Sequence, residues 1–473
     1  MPFQFIDSNA SIDRATRRRI RSHVAMGKNV GRKIVRPSRI KAFERRPETS
    51  KAIIHIPKIS EHTYDLECTK DMVPGTPKLI GDWLSVLSFP EQPPGSKHLV
   101  QRAFSFISAP RHVPELSDAI DSTGASAMWV QFMFLDEACF HCAVAVSTIA
   151  LNNLVTKQEE PAEALRHLSC TFRLVNERLS GKDTVSNTTI AVVLLLTQYE
   201  RIQNRYCQGL VHLEGLHRMV ELRGGICKLT RDAPGIAKKI FSAELEYALF
   251  LGSATRFSIE DIIPTSTAVV GLASSFKHQD SGRHHPNVLD TKLFKQLSTE
   301  LQDLLVDMVY LAQLLNDASD GCRSALNSQI FHDTLILLGY RLVRIRPLGG
   351  PRSTSPLINI VHLGLALFLM TLLRRLDRRI VEIPLLSQLA HSAAKEELED
   401  EEESHELLLW VLFIGGVSVF KQIDDAWLDP KIVRTRDALS LHTWDDVRRT
   451  LIKFPWVGAV HDNPGQLLYK RAS

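Results

Sequence analysis

Residues 293–316 read LFKQLSTELQDLLVDMVYLAQLLN. Phe294, Leu297, Leu301, Leu304, Leu305, Met308, Leu311 and Leu315 fall mostly at steps of three and four. That spacing gathers them on one face of a helix with 3.6 residues per turn and leaves the charged and amide side chains on the other. A helix with one dry face needs a partner surface of the same kind. Working outward, the same period recurs at about 128–155, 161–179, 187–204, 206–223, 234–252, 324–345, 356–378 and 405–422. No comparable series of alternating strands and no internal repeat of fixed length is visible. The reading is all-α: a multi-helix array of helical hairpins joined by short loops over about 104–460.

The flanks read differently. Residues 47–100 carry Pro47, Pro57, Pro74, Pro77, Pro90, Pro93 and Pro94. Proline has no amide proton and blocks helix continuation, so 51–103 is expected to be a proline-rich linker with short elements. Residues 263–290 contain KHQDSGRHHPN and are expected to form a long surface loop. Residues 461–473 are expected as a C-terminal tail. The acidic run KEELEDEEESHE at 395–406 suits a solvated loop entering a helix start, or an acidic activation segment.

The 473 residues are 44% hydrophobic and 23% charged, enough apolar material for two to three packing units. The net charge of +4 hides an asymmetry. Residues 1–50 hold 13 Lys and Arg against 4 Asp and Glu, a net of +9, so the remaining 423 residues sum to −5. A basic arm precedes a mildly acidic body. Within it, Arg17, Arg18, Arg19 and Arg21 are followed by Lys28, Arg32, Lys33, Arg36, Arg39 and Lys41, then by Arg45 and Arg46. Paired basic clusters suit a nuclear import receptor. The same charges suit docking on the acidic body, or weak phosphate contact with DNA through residues 14–46. Phosphate contact gives affinity without sequence choice, and only Phe43 lies nearby to stack on a base.

The seven cysteines (Cys68, Cys139, Cys142, Cys170, Cys207, Cys227 and Cys322) are odd in number and scattered, which fits a reducing compartment rather than a disulfide framework. MPFQFIDSNAS at the N-terminus lacks the basic-then-apolar order of a secretory signal. LINIVHLGLALFLMTLL at 357–373 is at the short end for a membrane span and contains Asn359 and His362; the expected reading is a buried core helix, with no membrane partner.

Catalytic signatures are missing: no G-x-S-x-G, no phosphate loop, no G-x-G-x-x-G and no H-E-x-x-H. His405 and Glu406 are adjacent, but Leu409 stands where a second zinc histidine would fall. Cys139-Phe-His141-Cys142 offers two thiolates where a closed zinc site needs four ligands, so core packing is expected there. His278, Asp280, His284 and His285 form a polar cluster in the loop, without a fixed scaffold for a metal. His212 and His217, five apart, are poorly spaced for one helical face. No metal or cofactor and no enzyme activity is expected; the alternative, an enzyme with an unrecognised helical site, has only the loop histidines behind it.

Three stretches together carry a family resemblance. HLEGLHRMVELRGGICKL at 212–229 places His212, Gly215, Leu216, Met219, Val220, Leu222, Arg223, Gly224 and Gly225 in the pattern His-x-x-Gly-Leu-x-x-Met-Val-x-Leu-Arg-Gly-Gly. Its leucines, methionine and valine make a buried stripe, and the glycine pair can take the left-handed conformation that stops a helix. Arg223 falls in the last turn, where a cation suits the negative dipole end. LLLWVLFIGGVSVF at 407–420, with Trp410, Gly415 and Gly416, is followed by Trp427. FIDSNASIDRATRRRIRSHVAMGKNVGRK occupies 5–33. In this order and spacing they resemble, over about 100–460, the fungal-specific transcription factor domain found C-terminal to zinc binuclear clusters. The resemblance implies a nuclear protein of transcription control that works with protein partners of the transcription machinery or with a DNA-binding partner. A zinc binuclear cluster needs six closely spaced cysteines, whereas Cys68 is the only cysteine before Cys139, so the DNA-reading module does not carry over. After the glycine pair, the family's Pro-Arg-Phe reads Thr255-Arg256-Phe257 here.

Overall fold

The computed structural model describes residues 96–108, 113–121, 127–155, 161–181, 183–262, 291–373, 383–396, 398, 400–420 and 425–472. The basic arm, with Arg17, Arg18, Arg19, Arg21, Arg32, Lys33, Arg45 and Arg46, and the loop histidines His278, His284 and His285 lie outside the described residues.

The fold is all-α. Among the described residues eighteen α-helices follow one another: α1 (Ser96–Ser108), α2 (Ala127–Leu135), α3 (Glu137–Val155), α4 (Ala162–Leu179), α5 (Asn187–Ile202), α6 (Tyr206–Leu222), α7 (Ile226–Asp232), α8 (Pro234–Leu251), α9 (Ile259–Ile262), α10 (Lys292–Gln296), α11 (Thr299–Ser319), α12 (Ser328–Ile345), α13 (Pro356–Leu373), α14 (Pro384–Lys395), α15 (Glu402–Gly416), α16 (Asp425–Ala438), α17 (Trp444–Leu451) and α18 (Gly458–Arg471). Among the described residues the only sheet is one parallel pair, β1 (Ile120–Asp121) and β2 (Leu326–Asn327), in register Ile120 to Leu326.

Two groups of helices pack on each other, with α8 against α12 as the main seam. α3 packs on α1, α4 and α5, and α5 on α6 and α8; on the other side α13 packs on α12, α14 and α15, and α15 on α16 and α18. α8 against α12 joins them. Three observations describe that seam. Lys238 Nζ pairs with buried Asp333 at 2.8 Å. A Cβ on Gly339 would stand 2.4 Å from Leu245, so the bare backbone of α12 admits the leucine of α8. The Gly349 amide donates to the Gly252 carbonyl at 2.8 Å, tying together the loops that end both helices.

Four boundaries differ from the sequence reading. The helix expected over 128–155 breaks at Asp136 and bends by 114° between α2 and α3. The Asp136 carboxylate accepts from the Cys139 amide at 2.9 Å and pairs with Arg178 at 3.0 Å, so it starts α3 as a capping group. The helix expected over 293–316 breaks at Leu297 and Ser298; the Gln302 side-chain amide donates to the Phe294 and Leu297 carbonyls (2.9 and 3.0 Å), which satisfies groups the break would strand. The end of the expected linker is the core helix α1, with Leu99, Val100, Ala103 and Ile107 buried. The stretch 461–473, expected as a tail, is mostly α18, whose His461 and Leu468 are buried.

α13 is, among the described residues, the one unbroken helix long and apolar enough to cross a membrane, and 78% of it is buried inside the protein. The acidic run enters α15 as expected of a helix start, but it is not simply solvated. Glu403 accepts from the Lys292 and Leu293 amides (3.2 and 2.8 Å) and so caps α10, and Glu406 pairs with Lys453.

Candidate functional site

A buried polar cluster lies around Glu244, on α8 and 3% exposed. Its carboxylate accepts from the Arg256 amide at 2.7 Å, from the Phe257 amide at 3.3 Å and from the Tyr340 hydroxyl at 2.6 Å. His217 Nε2, from α6, lies 3.2 Å from Glu244, within ion-pair distance but off the line of a hydrogen bond. The Phe257 ring meets His217 and Phe241 edge-on at 5.1 and 5.6 Å. Burial, followed by the charge of Glu244, pushes the Tyr340 phenol well above its ordinary range, so it stays a neutral donor. One carboxylate thus ties α8, α12 and the turn after α8, with His217 of α6 packed beside it. The turn needs such a holder because α8 ends at Gly252 in the left-handed conformation (φ 73°), and residues 253–257 leave amides without helical partners. Thr255-Arg256-Phe257 is that turn.

The motif residues of α6 divide by role. Gly224 (φ 103°) and Gly225 (φ 91°) end the helix: the Gly224 amide donates to Glu221 and the Gly225 amide to Val220, both at 2.9 Å, the double bond of a Schellman stop. Arg223 does more than face the dipole. Its Nη1 donates to the Val185 carbonyl at 3.1 Å and its Nη2 lies 4.0 Å from Asp232, so it ties α6 to the loop before α5 and to α7. His212 stacks on Phe172 at 6.1 Å, and burial lowers its pKa. His212 and His217 therefore face different neighbours, as their spacing suggests. A Cβ at Gly215 would meet nothing within 4 Å. The glycine that packing demands on this helix is Gly209, where a Cβ would stand 1.7 Å from the Tyr247 hydroxyl.

The second motif is a packing motif. Trp410 is fully buried, donates from Nε1 to the Pro455 carbonyl at 3.0 Å and stacks on Phe454 at 5.3 Å. Gly415 and Gly416 are not among the positive-φ glycines. Added Cβ atoms would stand 2.3 Å from Phe420 and 2.5 Å from Leu468, so they admit neighbours rather than turn the chain.

Cys139 and Cys142 are buried in α3 and burial pushes both thiols up, so neither is poised as a thiolate. His405 contacts the Glu401 carbonyl and Asp400, while Glu406 turns to Lys453. No group of three or more metal-ligating side chains occurs among the described residues. An open cleft of about 810 Å3 lies between α11, α17 and α18 and is charged rather than apolar. Arg448 and Arg449 on its wall are paired with Asp462 and Asp446.

Sequence reasoning missed Glu244, Tyr340 and Asp136. One signal was there to be used: Glu244 and Glu246 interrupt IFSAELEYALFL, an otherwise apolar helix. A carboxylate in such a run has to find donors inside the protein.

The fold and its polar groups define a helical domain in which buried charge holds helices together. Residues 111–260, which include the Gly224–Gly225 stop, Glu244 and the turn it holds, match the model of the fungal specific transcription factor domain. The segments 5–33 and 407–420 fall outside the matched residues. No curated protein and no solved structure matches the chain.

Proposed function

We propose that the protein is a nuclear regulator of transcription that works through protein partners or a small effector, without a zinc cluster of its own. The match over residues 111–260 carries this reading. The absence of any cysteine but Cys68 before Cys139 supports the second half of it. The net charge of +9 over residues 1–50 supports recognition by an import receptor. The Glu244 cluster suits a relay domain, since a ligand or partner that shifts α12 against α8 must rearrange the bond from Tyr340 to the carboxylate that also holds the turn after α8.

The test is cellular. A fluorescently tagged chain is expected in the nucleus, and replacing Arg17, Arg18, Arg19, Arg21, Arg32, Lys33, Arg45 and Arg46 by Ser is expected to release it to the cytosol. Deletion is expected to change a defined set of transcripts. A cytosolic wild type whose removal leaves the transcriptome unchanged overturns the proposal. Six suitably spaced in-frame cysteine codons upstream of Met1 would replace it by a DNA-reading factor.

The same net charge of +9 favours a second reading, a non-sequence-specific nucleic-acid binder acting through residues 14–46. Its mark is a duplex-DNA affinity that falls with salt at a log–log slope of about −0.9 per neutralised phosphate. A flat salt response removes it.

A further inference from the structure

We propose that His141 and His167 form a binding site for a divalent transition-metal cation of the Cu2+ class, bridging α3 and α4 through their two Nδ1 atoms. His141 Nδ1 and His167 Nδ1 stand 2.7 Å apart, with ring centroids at 4.9 Å. Two imidazole nitrogens that face each other either share one proton or share one cation. Ligands held about 2.0–2.1 Å from a metal stand about 2.9 Å apart at a right angle and about 3.3 Å apart at the tetrahedral angle. The observed gap is nearest the first, the tetragonal geometry that Cu2+ prefers, and Cu2+ also heads the affinity order for nitrogen ligands.

The surroundings support an open site. The His141 side chain keeps 15% of its surface exposed, so an ion can reach it. Burial lowers the pKa of both rings, His167 to about 4, so both are neutral at physiological pH, the form that ligates. Each carries a carboxylate four residues earlier on its own helix. Glu137 lies 3.8 Å from His141 Nε2, and the Glu163 charge acts on His167. In the metal-free pair one ring holds its proton on Nδ1. Binding moves that proton to Nε2 of the same ring, freeing both Nδ1 lone pairs with no net proton released; at His141 the Nε2 atom faces Glu137 at ion-pair distance, 3.8 Å. Carboxylates behind ligating histidines orient the ring in this way. The Arg173 charge opposes a cation, but it is paired with Glu177 at 2.9 Å. Cys139 and Cys142 take no part: Cys139 Sγ turns to the Thr188 carbonyl at 3.6 Å. Water completes the coordination.

The test uses the untagged full chain and CuCl2. A background variant, His278→Ala/His284→Ala/His285→Ala, removes the loop histidines. Calorimetry is expected to give one Cu2+ per chain in both proteins, with electron paramagnetic resonance showing two imidazole nitrogens. His141→Gln and His167→Gln are each expected to lose the two-nitrogen signature and at least about tenfold in affinity, and Glu137→Gln to weaken binding by about tenfold with the signature kept. Far-UV circular dichroism identifies a variant that has lost its helices; the remaining two then decide. A two-nitrogen signature that survives His141→Gln or His167→Gln, one that vanishes in the loop variant, or no stoichiometric binding overturns the proposal.

Discussion

Tyr340 donates its phenolic proton to Glu244 at 2.6 Å across the seam between α8 and α12, with both residues buried. The same carboxylate holds two amides of the turn that follows α8. Tyr340→Phe keeps the ring and removes one donor from a buried charge. Hydrogen bonds to charged groups are worth about 1.5–3 kcal/mol, and a loss in that range is expected in urea unfolding. Glu244→Ala strands three donors at once and is expected to cost more than Tyr340→Phe. Equal stability of wild type and Tyr340→Phe would show that the pair contributes nothing.

Two glycines on α6 should respond in opposite directions. Gly209→Ala drives a methyl into Tyr247, whose hydroxyl donates to the Thr197 carbonyl at 2.8 Å. A loss of about 1–3 kcal/mol or more is expected, partly recovered in Gly209→Ala/Tyr247→Phe. Gly215→Ala meets open space and is expected to raise stability by about 0.5–1 kcal/mol, because alanine loses less backbone freedom in a helix. Thermal unfolding of the three variants measures both signs.

The glycine pair that stops α6 differs from the pair that ends α15. Gly224→Ala must force a Cβ into φ 103°, and a loss of about 1–2 kcal/mol is expected from the backbone alone. Asn tolerates positive φ better than Ala, so Gly224→Asn should lose less. At Gly415 the backbone is unstrained and the obstacle is Phe420, so Phe420→Ala should lessen the damage of Gly415→Ala. Removing a side chain near Gly224 should not rescue Gly224→Ala; chemical denaturation of the pairs separates the two mechanisms.

Acid should destabilise the protein through its buried histidines. His461 Nδ1 accepts the Val457 amide at 2.9 Å, and its Nε2 lies 2.9 Å from the Thr371 hydroxyl, which itself donates to the Phe368 carbonyl. The neutral ring is satisfied on both sides, and protonating Nδ1 breaks the Val457 bond. Burial holds His461 near 3 and His362 near 4, against 6.5 for the free side chain. Between those values the unfolded chain binds protons that the folded chain refuses. Stability from this source is complete above about pH 6.5 and falls as pH drops toward 4, by up to about 1.4 kcal/mol per pH unit for each histidine. Denaturation from pH 7 to 4 measures the slope, and His461→Gln is expected to flatten it. A slope unchanged in that variant would assign the acid sensitivity elsewhere.

Much of this architecture was readable from residue order. Steps of three and four among apolar residues locate α4, α5, α6 and α8 to within a residue or two, because helix period is a local property. The Gly224–Gly225 stop was readable for the same reason: only glycine takes that backbone without strain. The breaks at Asp136 and Leu297 were not, because the apolar period runs through both, and what splits each helix is a side chain capping stranded amides or carbonyls. The role of Gly415 and Gly416 was not readable either: they serve as clearance for Phe420 and Leu468, residues whose positions depend on tertiary packing.

Residue order by itself determined the all-helical class, the charge split between arm and body, and the resemblance carried by 212–229. Tertiary structure alone decided that Glu244 meets Tyr340, 96 positions away, and that His141 meets His167 across two helices. The physical reason is range. Helical periodicity and backbone strain act over a few residues and are written in neighbouring letters. A buried carboxylate or imidazole is satisfied only by donors that packing brings from distant elements.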